Sequence, residues 1–236
     1  VALIVVPARL RSSRLPQKLI QKISGKEIIL YLLYQLQSLQ QDHEVVVTTD
    51  TPFIQQLIEG YGNFHVKYSN RHYNNGTERI ADVASDYPHQ DIVVNVQADE
   101  YDISAADVES LLRSFEQFKD MKIGTLVGPL EEHQITDHSV VKALLDEKQV
   151  AIDFIRDILS NNVMYYGHHG VYAYKNAILQ EIARLPETNL EKARSLEQMR
   201  WLESGYQVHC VHTNRTVSSL NTIADLRLIR KSFESE

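Results

Sequence analysis

Three segments of this chain carry residue types that handle phosphates, metals or other polar ligands. The first is Pro7-Ala8-Arg9-Leu10-Arg11-Ser12-Ser13-Arg14-Leu15-Pro16-Gln17-Lys18, which gathers four cations and two hydroxyls directly after an apolar run. Guanidinium and ammonium groups at that density can hold a polyanion such as a triphosphate; a solvated basic loop is the alternative reading. The second is Asn95-Val96-Gln97-Ala98-Asp99-Glu100, where a carboxylate just past a buried strand can hold a magnesium ion (Mg²⁺) against a phosphate. A capping or turn aspartate is the alternative there, and the turn reading is the favoured one for Thr48-Thr49-Asp50, which ends another run. The third is Asn75-Gly76-Thr77-Glu78-Arg79 at a helix start. Its Gly and Thr either present backbone N–H groups to a ligand or form a plain start, with Thr77 as N-cap.

Other chemistries find less support. The chain has neither a Gly-x4-Gly-Lys-[Ser/Thr] phosphate loop nor a Gly-x-Gly-x-x-Gly dinucleotide turn. His168-His169 and His209-Cys210-Val211-His212 lie on expected strands, where neighbouring side chains point to opposite faces, and no second Cys pair completes a zinc spacing. Tyr172, Tyr174 and Trp201 are read as core or interface rather than as base-stacking platforms. The formal net charge of -7 argues against a general nucleic-acid surface and leaves room for a local basic pocket. A single cysteine, Cys210, rules out an internal disulfide and fits a reducing compartment. No apolar run approaches the roughly 20 residues that span a bilayer, and the first strand is too short for a signal-peptide core. A cytoplasmic protein with no membrane partner is expected.

These segments must be positioned by the elements around them. Ala2–Val6, Val45–Val47, Phe64–Lys67 and Ile92–Val96 read as strands, separated by helical periodicity at Ile29, Leu32, Leu33 and Leu36, near Phe53–Glu59, and over Ile80–Ala84. Ser104 with Asp107 marks the start of a helix that carries Val108, Leu111, Leu112 and Phe115. The alternation predicts an α/β fold, Rossmann-like, with a mostly parallel sheet and helices on both faces. In open sheets of that kind, ligands bind at the carboxyl ends of the strands. Beyond residue 120 the pattern changes. Val140–Leu145 and Val150–Phe154 flank Asp146-Glu147-Lys148 as a hairpin, Gly170–Tyr174 and Gln207–Val211 read as strands, one helix carries Leu196, Met199 and Trp201, and a last helix begins near Thr222. We expect one domain over residues 1–236, with a β-rich subregion at about 140–205 for sugar binding and dimerisation.

The order of the motifs resembles one family, the CMP-Kdo synthetases, which activate 3-deoxy-manno-octulosonate (Kdo). Pro7-Ala8-Arg9-x4-Arg14-Leu15-Pro16-x-Lys18 resembles their opening signature, and the Asn75–Arg79 segment is similar to their Ser-Gly-Thr-Glu-Arg. Asn95–Glu100 resembles Asn-Val-Gln-Gly-Asp-Glu-Pro, and His168-x-Gly170-Val171-Tyr172 resembles His-Leu-Gly-Ile-Tyr. Leu190-Glu191 followed by Leu196-Glu197-Gln198-Met199-Arg200 matches a Leu-Glu...Leu-Glu-Gln-Leu-Arg helix. The resemblance implies a cytidylyltransferase that joins CTP and a 2-keto sugar acid into a CMP-sugar and pyrophosphate, for lipopolysaccharide or capsule synthesis. It assigns Arg9, Arg14 and Lys18 to the triphosphate with help from Ser12 and Ser13, Ala8 and Gly76 to the base, Asp99 and position 221 to Mg²⁺, and Arg79, Gln97, His168 and Glu197 to the sugar. Lys18, Arg9 and Asp99 would be catalytic, and a homodimer is implied.

Several positions depart from that pattern. Asn221 stands where Val-Asp-Thr-Pro-Glu-Asp-Leu supplies a second magnesium aspartate, and Gln17 replaces the glycine before the loop lysine. Asp153-Phe154-Ile155-Arg156 replaces Tyr-Phe-Ser-Arg, and Arg194 replaces a glutamate. These changes predict an altered sugar pocket and weakened magnesium support. The rival readings are a paralogue that uses a different sugar acid, a non-catalytic nucleotide- or partner-binding protein, and a nucleotidyltransferase with another base or acceptor.

Overall fold

The computed structural model describes residues 1–10, 15, 17–158, 163–218, 220 and 223–233. The chain begins with β1 (Leu3–Ala8), whose residues are all buried. A short ribbon of β2 (Lys22–Ile23) and β3 (Lys26–Glu27) leads into α1 (Ile28–Leu36). Then come β4 (Glu44–Thr49), α2 (Pro52–Glu59), β5 (His65–Tyr68), α3 (Gly76–Ala84), β6 (Ile92–Val96), α4 (Ala105–Gln117) and β7 (Ile123–Gly128). The second half holds α5 (Glu132–Ile135), β8 (Lys142–Leu145), β9 (Ala151–Ile155), β10 (Tyr165–Lys175), α6 (Asn176–Ile182), α7 (Asn189–Arg194), α8 (Gln198–Glu203), β11 (Val208–His212) and α9 (Ile223–Phe233).

The main sheet runs β11-β7-β10-β6-β1-β4-β5. β1 pairs in parallel with β4 on one side and β6 on the other, and β4 pairs in parallel with β5. The connections therefore change direction at β1, and the crevice beyond its carboxyl end is the expected ligand position. Alternate side chains feed two cores. Ile4, Val6, Val45, Val47 and Val94 pack with α1 and α4 on one face, whereas Leu3, Val5, Val46 and Val93 pack with α3, α6 and α8 on the other. This two-sided burial explains the continuous apolar runs.

The β-rich second half folds onto the same sheet. β7, β10 and β11 belong to the main sheet, and only the β8–β9 hairpin hangs from it, through the start of β10. β10 runs antiparallel to both β6 and β7, while β11 is parallel to β7. The hairpin turns as its residues predict: the Asp146 side chain accepts from Lys148 N and Val150 N, and Gln149 takes φ 61°. The single helix expected around Leu196 is two short ones, because Ser195 adopts a left-handed φ of 52° between α7 and α8. The Ser104–Asp107 capping box at α4 is present as predicted. At α3 the N-cap is Asn75, whose side chain accepts from Glu78 N at 2.8 Å, and not Thr77.

Candidate active site

Lys18 follows Gln17, which sits at a left-handed φ of 54°. That backbone conformation is easy for glycine and unfavourable for a side chain, so Gln17 stands where the resemblance places a glycine for a physical reason. The turn directs the Lys18 ammonium to the Asp99 carboxylate, and the two form an ion pair in which each side chain keeps some exposure, 15% and 20%. Asp99 is held by the chain around it. Glu100 N donates to Gln97 O at 3.0 Å, Gln97 N donates to Gly170 O at 3.0 Å, and Leu220 N donates to Asp99 O at 3.4 Å. Gly170 N in turn donates to Glu100 Oε1 at 2.8 Å. A Cβ at Gly170 would lie 2.9 Å from that oxygen and 3.0 Å from Gln97 Cγ, so the close approach of β10 to this turn requires glycine.

A cavity of about 250 Å³ opens from Asp99 along β6 and β10. Gln97, His168 and Glu197 line it, as do Thr77, Asn95, Arg156, Tyr172, Tyr174 and Trp201. Glu197 Oε1 accepts from Thr77 N at 3.0 Å, so a carboxylate satisfies the amino end of α3. Burial raises the Glu197 carboxyl above its ordinary range, against those hydrogen bonds. Thr125 Oγ1 donates to Val171 O and lies 3.1 Å from His168 Nε2. That hydroxyl proton is committed, so Nε2–H of His168 donates and Nδ1 keeps its lone pair. Burial pushes His168 down to about 3, which keeps the ring neutral at ordinary pH. The adjacent His169 points elsewhere, 3.5 Å from Glu100 Oε2 and 3.2 Å from Arg215 O. Burial opposes its charge, yet the Glu100 carboxylate leaves its value raised.

The sequence-derived candidates therefore divide. Lys18, Asp99, Gln97, His168 and Glu197 converge. Gly76, which the resemblance assigns to the base, lies beside two of them: a Cβ there would lie 3.6 Å from Glu197 Oε2 and 3.7 Å from Gln97 Nε2. Ala8 ends β1, buried, and Arg9 is exposed just beyond it. Arg79 is not brought to the cavity. It is buried beside Asp50, at 3.3 Å, with its guanidinium 4.7 Å from the Tyr73 ring centre. Ser12, Ser13, Arg14 and Asn221 lie outside the described residues.

The expected change of pocket charge is corrected. Arg194 and Asp153 form an ion pair with each other, Arg194 also donates to Phe154 O at 2.9 Å, and neither residue lines the cavity. Two departures from the family pattern thus compensate one another outside the site, and Ile155 is buried. Arg156, overlooked as a ligand group in the sequence, supplies positive charge to the cavity wall and donates to His138 O and Ser139 O. Among the described residues, no group of three or more His, Cys, Asp or Glu is arranged to hold a metal ion, and no helix is long and apolar enough to cross a membrane.

The profile of one family, described as cytidylyltransferase, matches residues 3–212. A curated relative named 3-deoxy-manno-octulosonate cytidylyltransferase, from Chlorobium limicola, is 37% identical over 98% of this chain and 96% of its own. One of the same name from Escherichia coli is 32% identical over 100% and 97%. The solved structure of CMP:2-keto-3-deoxy-manno-octonic acid synthetase complexed with CTP superposes with a TM-score of 0.88 at 32% identity, covering 99% of this chain and 98% of that one. A putative glucose-1-phosphate thymidylyltransferase from Bacillus anthracis, 13% identical with a TM-score of 0.71, shares the fold alone.

Proposed function

The chain belongs to the cytidylyltransferase family, and from that premise we propose that it joins CTP to 3-deoxy-manno-octulosonate or a closely related 2-keto sugar acid, releasing pyrophosphate. The observation that carries this reading is the Lys18–Asp99 pair at the head of a polar cavity lined by Gln97, His168, Arg156 and Glu197. The triphosphate would lie over the carboxyl end of β1, where Arg9 and Lys18 neutralise its charge; the resemblance adds Arg14 to them. The sugar acid would fill the cavity, its anomeric hydroxyl facing the α-phosphorus for in-line attack with pyrophosphate leaving. Arg156 offers the charge complementary to the acceptor carboxylate, and neutral His168 and Gln97 offer hydrogen bonds. The protein's share of catalysis is positioning and charge stabilisation, without a covalent intermediate.

Asp99 fits a magnesium ion carried in with the nucleotide: one hard carboxylate, at a phosphate site, is the donor set such an ion takes when the triphosphate supplies its other ligands. When bound, Mg²⁺ would neutralise charge developing on the phosphate oxygens. Glu100 is already engaged by Gly170 and is not a second ligand of this kind. A homodimer is part of the same reading, through the hairpin side, where Ile152 and Met164 are 57% and 70% exposed. A cytoplasmic location agrees with the single buried thiol of Cys210.

The test is pyrophosphate release with Mg²⁺ over four nucleotide triphosphates and a panel of 2-keto sugar acids. CTP with 3-deoxy-manno-octulosonate should give the highest kcat/KM. Release with no cytidine preference, or none with any acid in the panel, would overturn the reading.

A further inference from the structure

The inner wall of the acceptor cavity has more polar atoms than the protein satisfies. Asn95 Oδ1, Tyr172 Oη and Trp201 Nε1 are buried and close no hydrogen bond within the chain, and Tyr174 Oη, which the Asn95 amide N–H approaches from one side, finds no acceptor for its own proton. Asn95, Tyr174 and Trp201 are 3%, 0% and 2% exposed, and all three line the cavity. Buried donors and acceptors are nearly always paired, so each orphan calls for a partner that arrives from outside the chain. These groups cannot swing away to find one. Trp201 meets the rings of Tyr172 and Tyr174 edge-on, with centroids 5.1 and 5.6 Å apart and interplanar angles of 84° and 86°, and the three rings brace one another.

Their place along the sheet sets which part of a ligand they meet. Gln97, beside the reacting end, bonds to Gly170 across the β6–β10 seam. Tyr172 is registered with Asn95 and Tyr174 with Val93, two and four residues back along β6. At a strand rise of about 3.3 Å per residue that is roughly 7 to 13 Å from Gln97. A sugar acid with its anomeric centre near Asp99 would put its far end here.

We propose that Asn95, Tyr174 and Trp201 form a hydroxyl-reading subsite for the end of the acceptor remote from its reacting centre. The inference rests on the acceptor reading given above. The indole N–H can only donate, the Asn95 oxygen can only accept, and the phenol does either. A hydroxyl is the one simple group that answers all three. A carboxylate has no proton for Asn95 and would lie near Glu197, and an ammonium has no lone pair for Trp201.

Tyr174→Phe is the main test, because it deletes one oxygen and keeps the ring. Acceptor KM should rise about tenfold, CTP affinity by calorimetry should be unchanged, and Tm should hold or rise because an orphan hydroxyl has left the core. Wild type should disfavour an acceptor shortened by its terminal hydroxymethyl group about tenfold, and Tyr174→Phe should lose most of that preference. Trp201→Phe should show the same loss of preference, with a lower Tm from lost volume. A lower Tm for Tyr174→Phe with unchanged acceptor KM would assign the hydroxyl to a structural water and overturn the subsite. So would a preference for the full-length acceptor that survives Tyr174→Phe. Wild type that binds CTP yet uses no acid in the panel would instead overturn the acceptor reading, and the subsite with it.

Discussion

The two halves of the sheet present polar groups in different ways. In the parallel half, Arg9, Asp50 and Asp99 sit beyond strand ends, on turns that leave the sheet. In the other half, β10 runs against its neighbours and offers His168, Tyr172 and Tyr174 from the face of a buried strand. Strand-end groups keep access to water and contribute little to the core. Strand-face groups are part of the core, so a change made there for specificity is also a change in packing. Ligand binding and stability should therefore separate in the first half and remain coupled in the second.

Lys18→Ala tests the separable half and should give the largest effect. With its ammonium gone, kcat/KM should fall by about 10²- to 10³-fold, as for loss of one preorganised charge-stabilising donor. Tm should move little, since a partly exposed ion pair is worth at most about 1 kcal/mol. A large drop in Tm with nucleotide affinity intact would erase the contrast. Gly170→Ala tests the seam between the halves. Its Cβ would meet Glu100 and Gln97, so unfolding in urea should show a loss of about 1–3 kcal/mol together with lower activity. Full activity at unchanged stability would mean that the turn moves freely.

His168 sharpens the contrast through pH. Its folded value, about 3 against an ordinary 6.5, means the unfolded chain takes up the proton first. Its contribution is complete above about pH 6.5 and is lost as pH falls toward 3, with a slope of up to about 1.4 kcal/mol per unit. His169, raised by Glu100, has the opposite sign: its contribution is present in acid and is lost as pH rises through its folded value. His168→Gln should flatten the decline in stability between pH 6.5 and 5. A variant that declines as steeply as wild type would show that His168 is not its source. The smallest effect belongs to Arg194 and Asp153. A double-mutant cycle to alanine should give a coupling of about 0.5–1 kcal/mol in stability, with no change in acceptor preference. A change of acceptor preference on Arg194→Glu would return this pair to the sugar site.

The sequence was most legible where local rules suffice. β1, β4 and β6 were visible as apolar β-branched runs, α4 by its capping box, and the β8–β9 turn by Asp146. β7 was missed because Ile123-Gly-Thr-Leu-Val-Gly128 is interrupted by glycines, although neighbouring strands bury it completely. The direction of β10 was not legible, since residue type does not encode strand polarity. Within the candidate site, motif order singled out Lys18, Asp99, Gln97, His168 and Glu197, which the fold brings together. It did not single out Arg156 and Trp201, because their role depends on which surface the hairpin and α8 turn toward β6. Arg194 was misread for a related reason: its partner, Asp153, lies 41 residues away.

The bond from Thr77 N to Glu197 spans 120 residues. Closing a loop of that length costs more than closing a short one, although the cost grows slowly with length, and it must be met before the contact repays it. During synthesis, β1, β4, β5 and β6 can pair before the carboxylate that caps α3 has left the ribosome. A nascent chain that ends before α8 would hold the parallel half of the sheet without the cavity wall that Glu197 and Trp201 complete.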